Sequence, residues 1–251
     1  MKRIAVLTAL LFAALQIGYA QKVGLVLSGG GAKGAAHIGV IKALEENGIP
    51  IDYITGTSAG AIVGSLYAMG YTPEEMVELM LSEEFSYWQT GTVENEYKYY
   101  FKRPDPTPEF GHFSIDMTDS LQVKASFFPQ SLINPIQMNQ AFMALFSQAT
   151  AKAGWNFDNL FVPFRCVASD IYSKKAIIFK NGDLGDAVRA SMTFPFFFQP
   201  IWKDSVPIFD GGIYDNFPVG PMKEAFHPDF IFGSTVAGGN NKPSSNPYNQ
   251  L

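Results

Sequence analysis

Two short apolar runs that each end in a glycine-rich turn constrain the fold of this chain more than any other feature. Val23–Leu27 leads into Ser28-Gly29-Gly30-Gly31-Ala32-Lys33-Gly34, and Pro50–Thr55 leads into Gly56-Thr57-Ser58-Ala59-Gly60. After these turns, small and apolar residues recur in the helix-like segments Gly34–Asn47 and Ala59–Met69. Continuous apolar runs of this length are typical of strands buried on both faces of a parallel sheet. The order strand, helix, strand, helix therefore predicts a three-layer α/β/α fold with a mainly parallel central sheet.

The second half of the chain continues this pattern. We predict strands at Phe164–Ser169, Ala176–Phe179, Ile208-Phe209 and Phe230–Val236, and helices at Asp183–Met192 and Pro218–Phe226. A capping box with proline at the first helical position, Thr72-Pro73-Glu74-Glu75, predicts one more helix start.

The segment Glu83–Pro135 departs from the pattern, because many aromatic residues stand there among prolines. We interpret it as an insertion over one end of the sheet. A lid or acyl-chain groove is one interpretation and irregular packing is the other, and the sequence leaves both open.

The N-terminus has the layout of a secretory signal peptide. Lys2 and Arg3 precede the apolar stretch Ile4–Ile17, and Gly18-Tyr19-Ala20 supplies a small-x-small cleavage site before Gln21. A retained membrane anchor is the alternative, but the stretch is short for a span of ~20 apolar residues. We therefore predict a signal peptide at residues 1–20, one folded domain at 21–237, and a polar tail or linker at 238–251 that could lead to a further C-terminal region. The predicted location is the periplasm, the outer membrane or the extracellular space.

Composition excludes several classes of function. The net charge of −5 leaves no electrostatic footprint for nucleic acid. A single cysteine, Cys166, excludes an internal disulfide and a cysteine zinc site, and it stands in an apolar run that predicts burial. The three histidines lie far apart without metal-ligand spacing. We therefore predict neither a metal nor a cofactor.

The strongest chemical signal is the GxSxG sequence Gly56–Gly60, with Ser58 at its centre. It lies where a predicted strand meets a predicted helix, which is the context of a nucleophile elbow. Glycines two residues before and after the serine relieve crowding in the sharp turn, so that the hydroxyl projects into a cleft. The following helix N-terminus adds a positive field where negative charge develops.

The glycine turn Gly29–Gly34 supplies several unobstructed backbone N–H groups. Such a turn suits an oxyanion hole, to which Gly29, Gly30, Gly31, Ala32, Lys33 and Gly34 would contribute. The same GxGxxG spacing also fits a dinucleotide-binding turn, with Asp52 about twenty residues further on. Asp52 opens the second strand, however, whereas a ribose-binding acid belongs near the carboxyl end.

Ser58 requires a base, because a hydroxyl at its ordinary pKa is a weak nucleophile. No motif surrounds His37, His112 or His227. Asp210 stands at a predicted strand end before Gly211 and Gly212. A catalytic carboxylate and a turn aspartate both fit there, and the residues alone do not decide between them.

Taken together and in this order, the three motifs resemble the patatin family of lipid acyl hydrolases, which includes bacterial, exported patatin-like phospholipases. The family pattern consists of a GGGxxG oxyanion loop, a GxSxG serine and a DG[AG] aspartate, and Gly29–Gly34, Gly56–Gly60 and Asp210–Gly212 match it. The block from Ala190-Ser191 to Pro195 and Pro200 is similar as well. The resemblance extends over roughly Lys22 to Val236.

This resemblance implies a carboxylic ester hydrolase with a Ser–Asp dyad and no histidine. Ser58 would be the nucleophile and Asp210 the proton acceptor, and water would release the fatty acid from an acyl-enzyme. Because a carboxylate with a pKa of ~3.9 is a poor base, we expect burial near Phe209 and Phe194–Phe198 to raise the pKa of Asp210. The implied partner is a membrane phospholipid or another acyl-ester lipid.

Two further hypotheses belong to other classes of protein. One is a dinucleotide-binding protein, and the other is a non-catalytic module that binds a lipid or a partner on the same fold. In some exported relatives this domain precedes an outer-membrane β-barrel, and a longer parent chain with such a barrel is a hypothesis here as well.

Overall fold

The computed structural model describes residues 21–92, 112–116, 122–126 and 131–238. The predicted signal peptide at residues 1–20 and nearly all of the predicted tail lie outside these ranges, so both stay predictions.

Nine strands are formed within the described ranges. Their bounds are β1 Val23–Leu27, β2 Tyr53–Thr57, β3 His112–Asp116, β4 Gln122–Ser126, β5 Phe164–Asp170, β6 Lys175–Phe179, β7 Ile201–Lys203, β8 Val206–Asp210 and β9 Phe230–Ser234. Strands β3 and β4 pair only with each other, antiparallel. The other seven form one sheet in which β9, β1, β2 and β5 are neighbours and run parallel. Strands β6 and β8 pair with β5 in the antiparallel sense, and β7 pairs with β8 in the same sense.

Seven α-helices accompany these strands in the described part of the chain. They are α1 Ala36–Glu46, α2 Ala59–Ala68, α3 Pro73–Leu81, α4 Glu83–Thr90, α5 Ile136–Lys152, α6 Leu184–Ser191 and α7 Val219–Phe226. Short 3₁₀ turns lie at Gly31–Ala35, Phe157–Asn159 and Gly211–Ile213. No helix among the described residues is both long enough and apolar enough to cross a bilayer.

The alternation of side chains along the strands distributes the helices over two faces. Leu25 and Leu27 of β1 belong to the main core, together with buried side chains of α1, α2, α5 and α6. The intervening Gly24 faces the other way, where the side chain of Met222 in α7 covers it. The sheet is therefore enclosed between two helical layers, and the three-layer α/β/α prediction is confirmed.

Most predicted elements lie where the sequence placed them, with small shifts at their ends. The second strand occupies Tyr53–Thr57 rather than Pro50–Thr55, because its ladder with β1 runs from Tyr53 to Gly56 and its ladder with β5 continues to Thr57. The capping box is confirmed, since Thr72 Oγ1 accepts the Glu75 N–H at 3.2 Å and Glu75 Oε2 accepts the Thr72 N–H at 2.8 Å.

Two parts of the structure add to the sequence prediction. The described residues of Glu83–Pro135, a segment for which the sequence left two interpretations open, include α4 and the β3–β4 pair. The long helix α5 was not predicted at all. Its buried face carries Met138, Phe142 and Phe146, but exposed apolar residues such as Met143 blur the amphipathic period.

Close packing at Gly60 gives a prediction about stability. A Cβ at this position would overlap the backbone carbonyl of Leu27, which cannot move aside. We expect Gly60→Ala to lower the free energy of unfolding by about 2 kcal/mol through overpacking. Gly39 is the matched control, because a Cβ there meets no atom within 4 Å, and Gly39→Ala should raise stability by about 0.5–1 kcal/mol. Urea denaturation measures both, and equal shifts in the two variants would contradict the packing argument.

Candidate active site

Ser58 occupies a strained turn between β2 and α2. Its φ of 54° and ψ of −121° lie outside the ordinary regions for a residue with a side chain, a conformation that persists only where the surroundings impose it. Gly56 and Gly60 allow the strand and the helix to approach closely enough for this turn, because a Cβ at Gly56 would overlap the carbonyl of Gly60. The sequence prediction of a nucleophile elbow, including Thr57 at the strand end and Ala59 at the helix start, agrees with this geometry.

The Ser58 hydroxyl donates a hydrogen bond of 2.6 Å to Asp210 Oδ2. The other carboxylate oxygen of Asp210 accepts the N–H of Gly212 at 2.7 Å and thereby caps the short turn Gly211–Ile213. Asp210 is only 4% exposed. The predicted pair is therefore in hydrogen-bond contact, and the Asp-Gly-Gly sequence serves to fix the orientation of the carboxylate.

Strand β5 explains how residues 152 positions apart come to meet. Val167 pairs with Thr57, the last residue of β2, and the next residue, Ala168, pairs with Asp210, the last residue of β8. Because β6 pairs along Cys166–Asp170, β2 and β8 share the opposite edge of β5. They approach from opposite directions and end against each other, so Asp210 ends an antiparallel strand of the mainly parallel sheet.

Burial raises the pKa of Asp210 to about 6, although the hydrogen bonds from Ser58 and Gly212 pull it down. Desolvation dominates because it disfavours the ionised form. A carboxyl group with this pKa is ionised at neutral pH and holds a proton more readily than an ordinary aspartate. It is therefore better suited to act as a general base.

The glycine turn lies beside Ser58. Gly29 donates its N–H to the carbonyl of Asn216 at 3.2 Å, and Gly34 packs directly on Ala59. Gly31 opens a 3₁₀ turn with φ of 58°, and the first N–H groups of such a turn have no partner within it. All six predicted turn residues, Gly29, Gly30, Gly31, Ala32, Lys33 and Gly34, line the same cavity as Ser58.

Asp52 does not approach this turn. It accepts the N–H of Val23 at 2.8 Å and pairs with the Lys22 ammonium at 2.7 Å, at the amino ends of β1 and β2. The glycine turn follows the carboxyl end of β1, so it lies at the opposite end of the strands from Asp52. This arrangement lacks the acidic ribose contact that the dinucleotide hypothesis requires.

The histidines whose side chains are described have other roles. Both ring nitrogens of His37 are engaged, Nε2 with the Ser28 carbonyl at 2.8 Å and Nδ1 with Ser234 Oγ at 2.7 Å. Burial lowers the pKa of His37. His227 caps the end of α7 in a left-handed conformation. The side chain of His112 lies outside the described residues.

Two residues that sequence reasoning did not select support the pair. Ser191 Oγ accepts the Ser58 N–H at 2.9 Å and donates to the Val167 carbonyl, so it links the strained turn to β5. Asn216 places its side-chain oxygen beside Gly29 and Gly212. Ser191 stood within the block that resembles the family, and only that signal pointed to it. No local pattern marked Asn216.

A cavity of about 910 Å³ opens onto Ser58. Its walls are mainly apolar, and the charged side chains among its described lining residues are Lys33 and Asp210. Much of the wall comes from the segment predicted as an insertion and from its neighbours. These wall residues are Phe85, Trp88, Ile133, Met138, Phe142, Phe194, Phe197 and Phe198.

Metal ligands do not converge anywhere among the described residues, where no group of three His, Cys, Asp or Glu side chains could hold an ion. Cys166 is fully buried, as predicted, and burial raises the pKa of its thiol to about 12.

A strained serine, a buried aspartate and a glycine turn on an α/β/α fold define a site of the serine-hydrolase type. The family model described as "Patatin-like phospholipase" matches residues 25–223. The chain belongs to the patatin-like phospholipase family.

Curated relatives agree with this assignment. The chain is 32% identical over 218 residues to lysophospholipase NTE1 of Pyricularia oryzae, and 29% identical over 203 residues to the patatin-like phospholipase domain-containing protein ZK370.4 of Caenorhabditis elegans. These alignments cover 86% and 80% of this chain but only 12% of each relative. Among solved structures, VipD from Legionella pneumophila superposes with a TM-score of 0.52 at 16% identity, over 88% of this chain and 51% of that one. That likeness shows a shared fold.

The raised pKa of Asp210 gives a prediction about stability. The folded protein binds this proton more tightly than an unfolded chain with a pKa of 3.8. Wild-type stability should therefore fall as the pH rises through about 6. Since an asparagine side chain carries no charge, Asp210→Asn should remove this loss, worth about 2 kcal/mol between pH 4.5 and pH 8. Urea denaturation at pH 4.5 and pH 8 tests this, with Asp204→Asn in the exposed β7–β8 turn as the control. Identical pH dependence in wild type and Asp210→Asn would contradict it.

Proposed function

We propose that this chain hydrolyses fatty-acyl esters of lipids, phospholipids in particular, with Ser58 as nucleophile and Asp210 as its base. The observation that carries the proposal is the 2.6 Å hydrogen bond from the Ser58 hydroxyl to a carboxylate that is 4% exposed. The family membership and the lysophospholipase named among the relatives support the same chemistry.

The reaction begins when the Ser58 proton passes to Asp210 Oδ2 as Oγ attacks the ester carbonyl carbon. The carbonyl oxygen becomes an oxyanion. Collapse of this intermediate breaks the bond to the alcohol, which takes the proton back from Asp210 and leaves an acyl-Ser58. A water molecule then gives a proton to Asp210 and attacks the acyl group. Collapse of the second intermediate releases the fatty acid and returns the proton to Ser58.

Backbone N–H groups of the glycine turn are suited to stabilise the oxyanion. The turn lines the cavity beside Ser58, and the first N–H groups of its 3₁₀ segment lack partners within it. The N–H of Ala59 at the start of α2 is a further donor of the kind found in nucleophile elbows. Preorganised donors of this type contribute about 3–4 kcal/mol of transition-state stabilisation in other hydrolases.

The cavity favours a lipid as the acyl donor. Its aromatic and aliphatic walls can desolvate an acyl chain, and burying each methylene contributes about 0.8 kcal/mol. Lys33 is the cationic side chain among the described lining residues. It is suited to pair with the phosphate of a phospholipid, which supports a phospholipid rather than a neutral glyceride as substrate.

Removing either member of the pair should abolish hydrolysis. We expect Ser58→Ala and Asp210→Asn each to lower kcat/KM for a p-nitrophenyl acyl ester by more than about a hundredfold, equivalent to ~2.7 kcal/mol. Ser65→Ala and Asp204→Asn are the matched controls. Ser65 donates only to the Ile62 carbonyl within α2 and Asp204 lies in an exposed turn, so both should retain activity. An inactive Ser58→Ala beside an active Asp210→Asn would place the base elsewhere. Full activity in both would favour the non-catalytic binding module.

The rate should depend on pH through Asp210. Because its pKa is raised to about 6 and the ionised form is the base, kcat/KM should rise with pH through about 6 and then level off. Initial rates between pH 4.5 and pH 9 give the profile. A profile that stays flat from pH 5 to pH 9 would show that no group with this pKa takes part.

A further inference from the structure

Phe196 is held in a conformation that phenylalanine avoids. Its φ is 69° and its side chain is 73% exposed. A bulky residue with positive φ is an outlier, and such strain persists where surrounding contacts over-determine the backbone. Burial of the ring does not account for this strain, because the ring is largely in solvent.

The contacts that impose the conformation come from two sides. Leu132 donates its N–H to the Phe196 carbonyl at 2.9 Å, and Ile133 donates to the Phe197 carbonyl at 2.9 Å. On the side of the protein interior, the buried Arg189 donates a hydrogen bond to the Gln199 carbonyl at 3.1 Å. Its guanidinium also lies over the Phe198 ring, 5.2 Å from the ring centre. The strained segment is therefore fixed in place.

These contacts separate an inner from an outer layer of side chains. Ile133, Phe197 and Phe198 line the cavity that leads to Ser58. Leu132 and Phe196 do not line it, and Leu132 is 45% exposed. Ile136, which starts α5 four residues after Leu132, is exposed as well. Leu132, Ile136 and Phe196 form an apolar rim that is continuous with the apolar cavity wall.

The rim is also free of charge. Residues 131–137 and 192–200 contain no Asp, Glu, Lys, Arg or His. The whole chain carries a net charge of −5, which would repel an anionic surface. A neutral apolar partner fits this rim better than a charged one.

We propose that the rim inserts into the surface of a zwitterionic phospholipid bilayer and places the mouth of the cavity against it. This proposal rests on the proposed function, because a lipid hydrolase draws its substrate from such a surface. Exposed aromatic and aliphatic side chains bind at the boundary between head groups and acyl chains through the apolar area that they bury. A lipid leaving the bilayer would then pass from the rim to the inner layer without exposing its acyl chain to water.

Asparagine is the informative replacement for Phe196. It tolerates a left-handed conformation far better than phenylalanine, so Phe196→Asn removes the ring without disturbing the backbone. Its melting temperature should equal or exceed that of wild type. Phe161→Asn is the matched control. Phe161 is 76% exposed and precedes the amino end of β5, whereas Ser58 follows the carboxyl end of the parallel strand β2, so the two residues lie at opposite ends of the strands.

Binding is measured by co-sedimentation with phosphatidylcholine vesicles, using the chain with Ser58→Ala so that the lipid is not consumed. We expect Phe196→Asn to weaken binding by more than about tenfold and Phe161→Asn to change it by less than about twofold. Binding should persist between about 0.05 and 0.5 M salt, because it is not electrostatic.

Several outcomes would overturn the proposal. The first is that the chain with Ser58→Ala alone fails to bind the vesicles. The others are that Phe196→Asn and Phe161→Asn weaken binding equally, or that salt releases the protein from the vesicles. Self-association that Phe196→Asn abolishes, without vesicle binding, would assign the rim to a protein contact. With Ser58 intact, a water-soluble short-chain ester separates this proposal from the function itself. Phe196→Asn should hydrolyse that ester at the wild-type rate. A wild type that is silent on it would refute the hydrolase while leaving the vesicle result to stand alone.

Discussion

The edge of β5 that β2 and β8 share is the constraint on which the site depends. Because Val167 and Ala168 are consecutive, the residues paired with them must end within one strand position of each other. The distance between Ser58 and Asp210 is thus set by backbone hydrogen bonds of the two ladders and not by contacts between their side chains. Ser191 strengthens this arrangement, since its hydroxyl joins the Ser58 N–H to the Val167 carbonyl. A register shift in either ladder would separate the pair.

The site concentrates unfavourable features that the rest of the domain must offset. Ser58 is strained, and Asp210 is buried without a cationic partner among the ion pairs of the described residues. Both features suit the roles that we propose for Ser58 and Asp210, and both lower stability. The opposing contribution comes from the closely packed core formed by α1, α2, α5 and α6 on one face of the sheet. The geometry of the proposed site and the stability of the domain are therefore in opposition.

The sequence predicted the fold class and the parallel half of the sheet, because the apolar runs and the glycine-rich turns Gly29–Gly34 and Gly56–Gly60 that follow them are local patterns. Ser58 was singled out by its own GxSxG turn, whereas Asp210 was selected only through the resemblance to the family, because an aspartate before two glycines is also a common turn residue. The direction of β8 was not predictable in this way, since nothing within Val206–Asp210 states which strand it will join. Helix α5 was missed because exposed apolar residues, Ile136 and Met143 among them, mask its amphipathic period. Asn216 was missed because its contact with the glycine turn is to Gly29, 187 positions away, and leaves no local pattern.

The anchoring of the glycine turn has a consequence for how the protein matures during synthesis. This turn is among the first described segments to leave the ribosome, yet the hydrogen bonds that anchor it come from residues among the last described segments. Ser28 receives the N–H of Val236, 208 residues later, and His37 reaches Ser234 across 197 residues. Contacts of such long range form late, after most of the chain is available. A nascent chain can thus carry Ser58 in its turn while the glycine turn beside it is still unanchored, and the complete site would form only after β9 has joined the sheet.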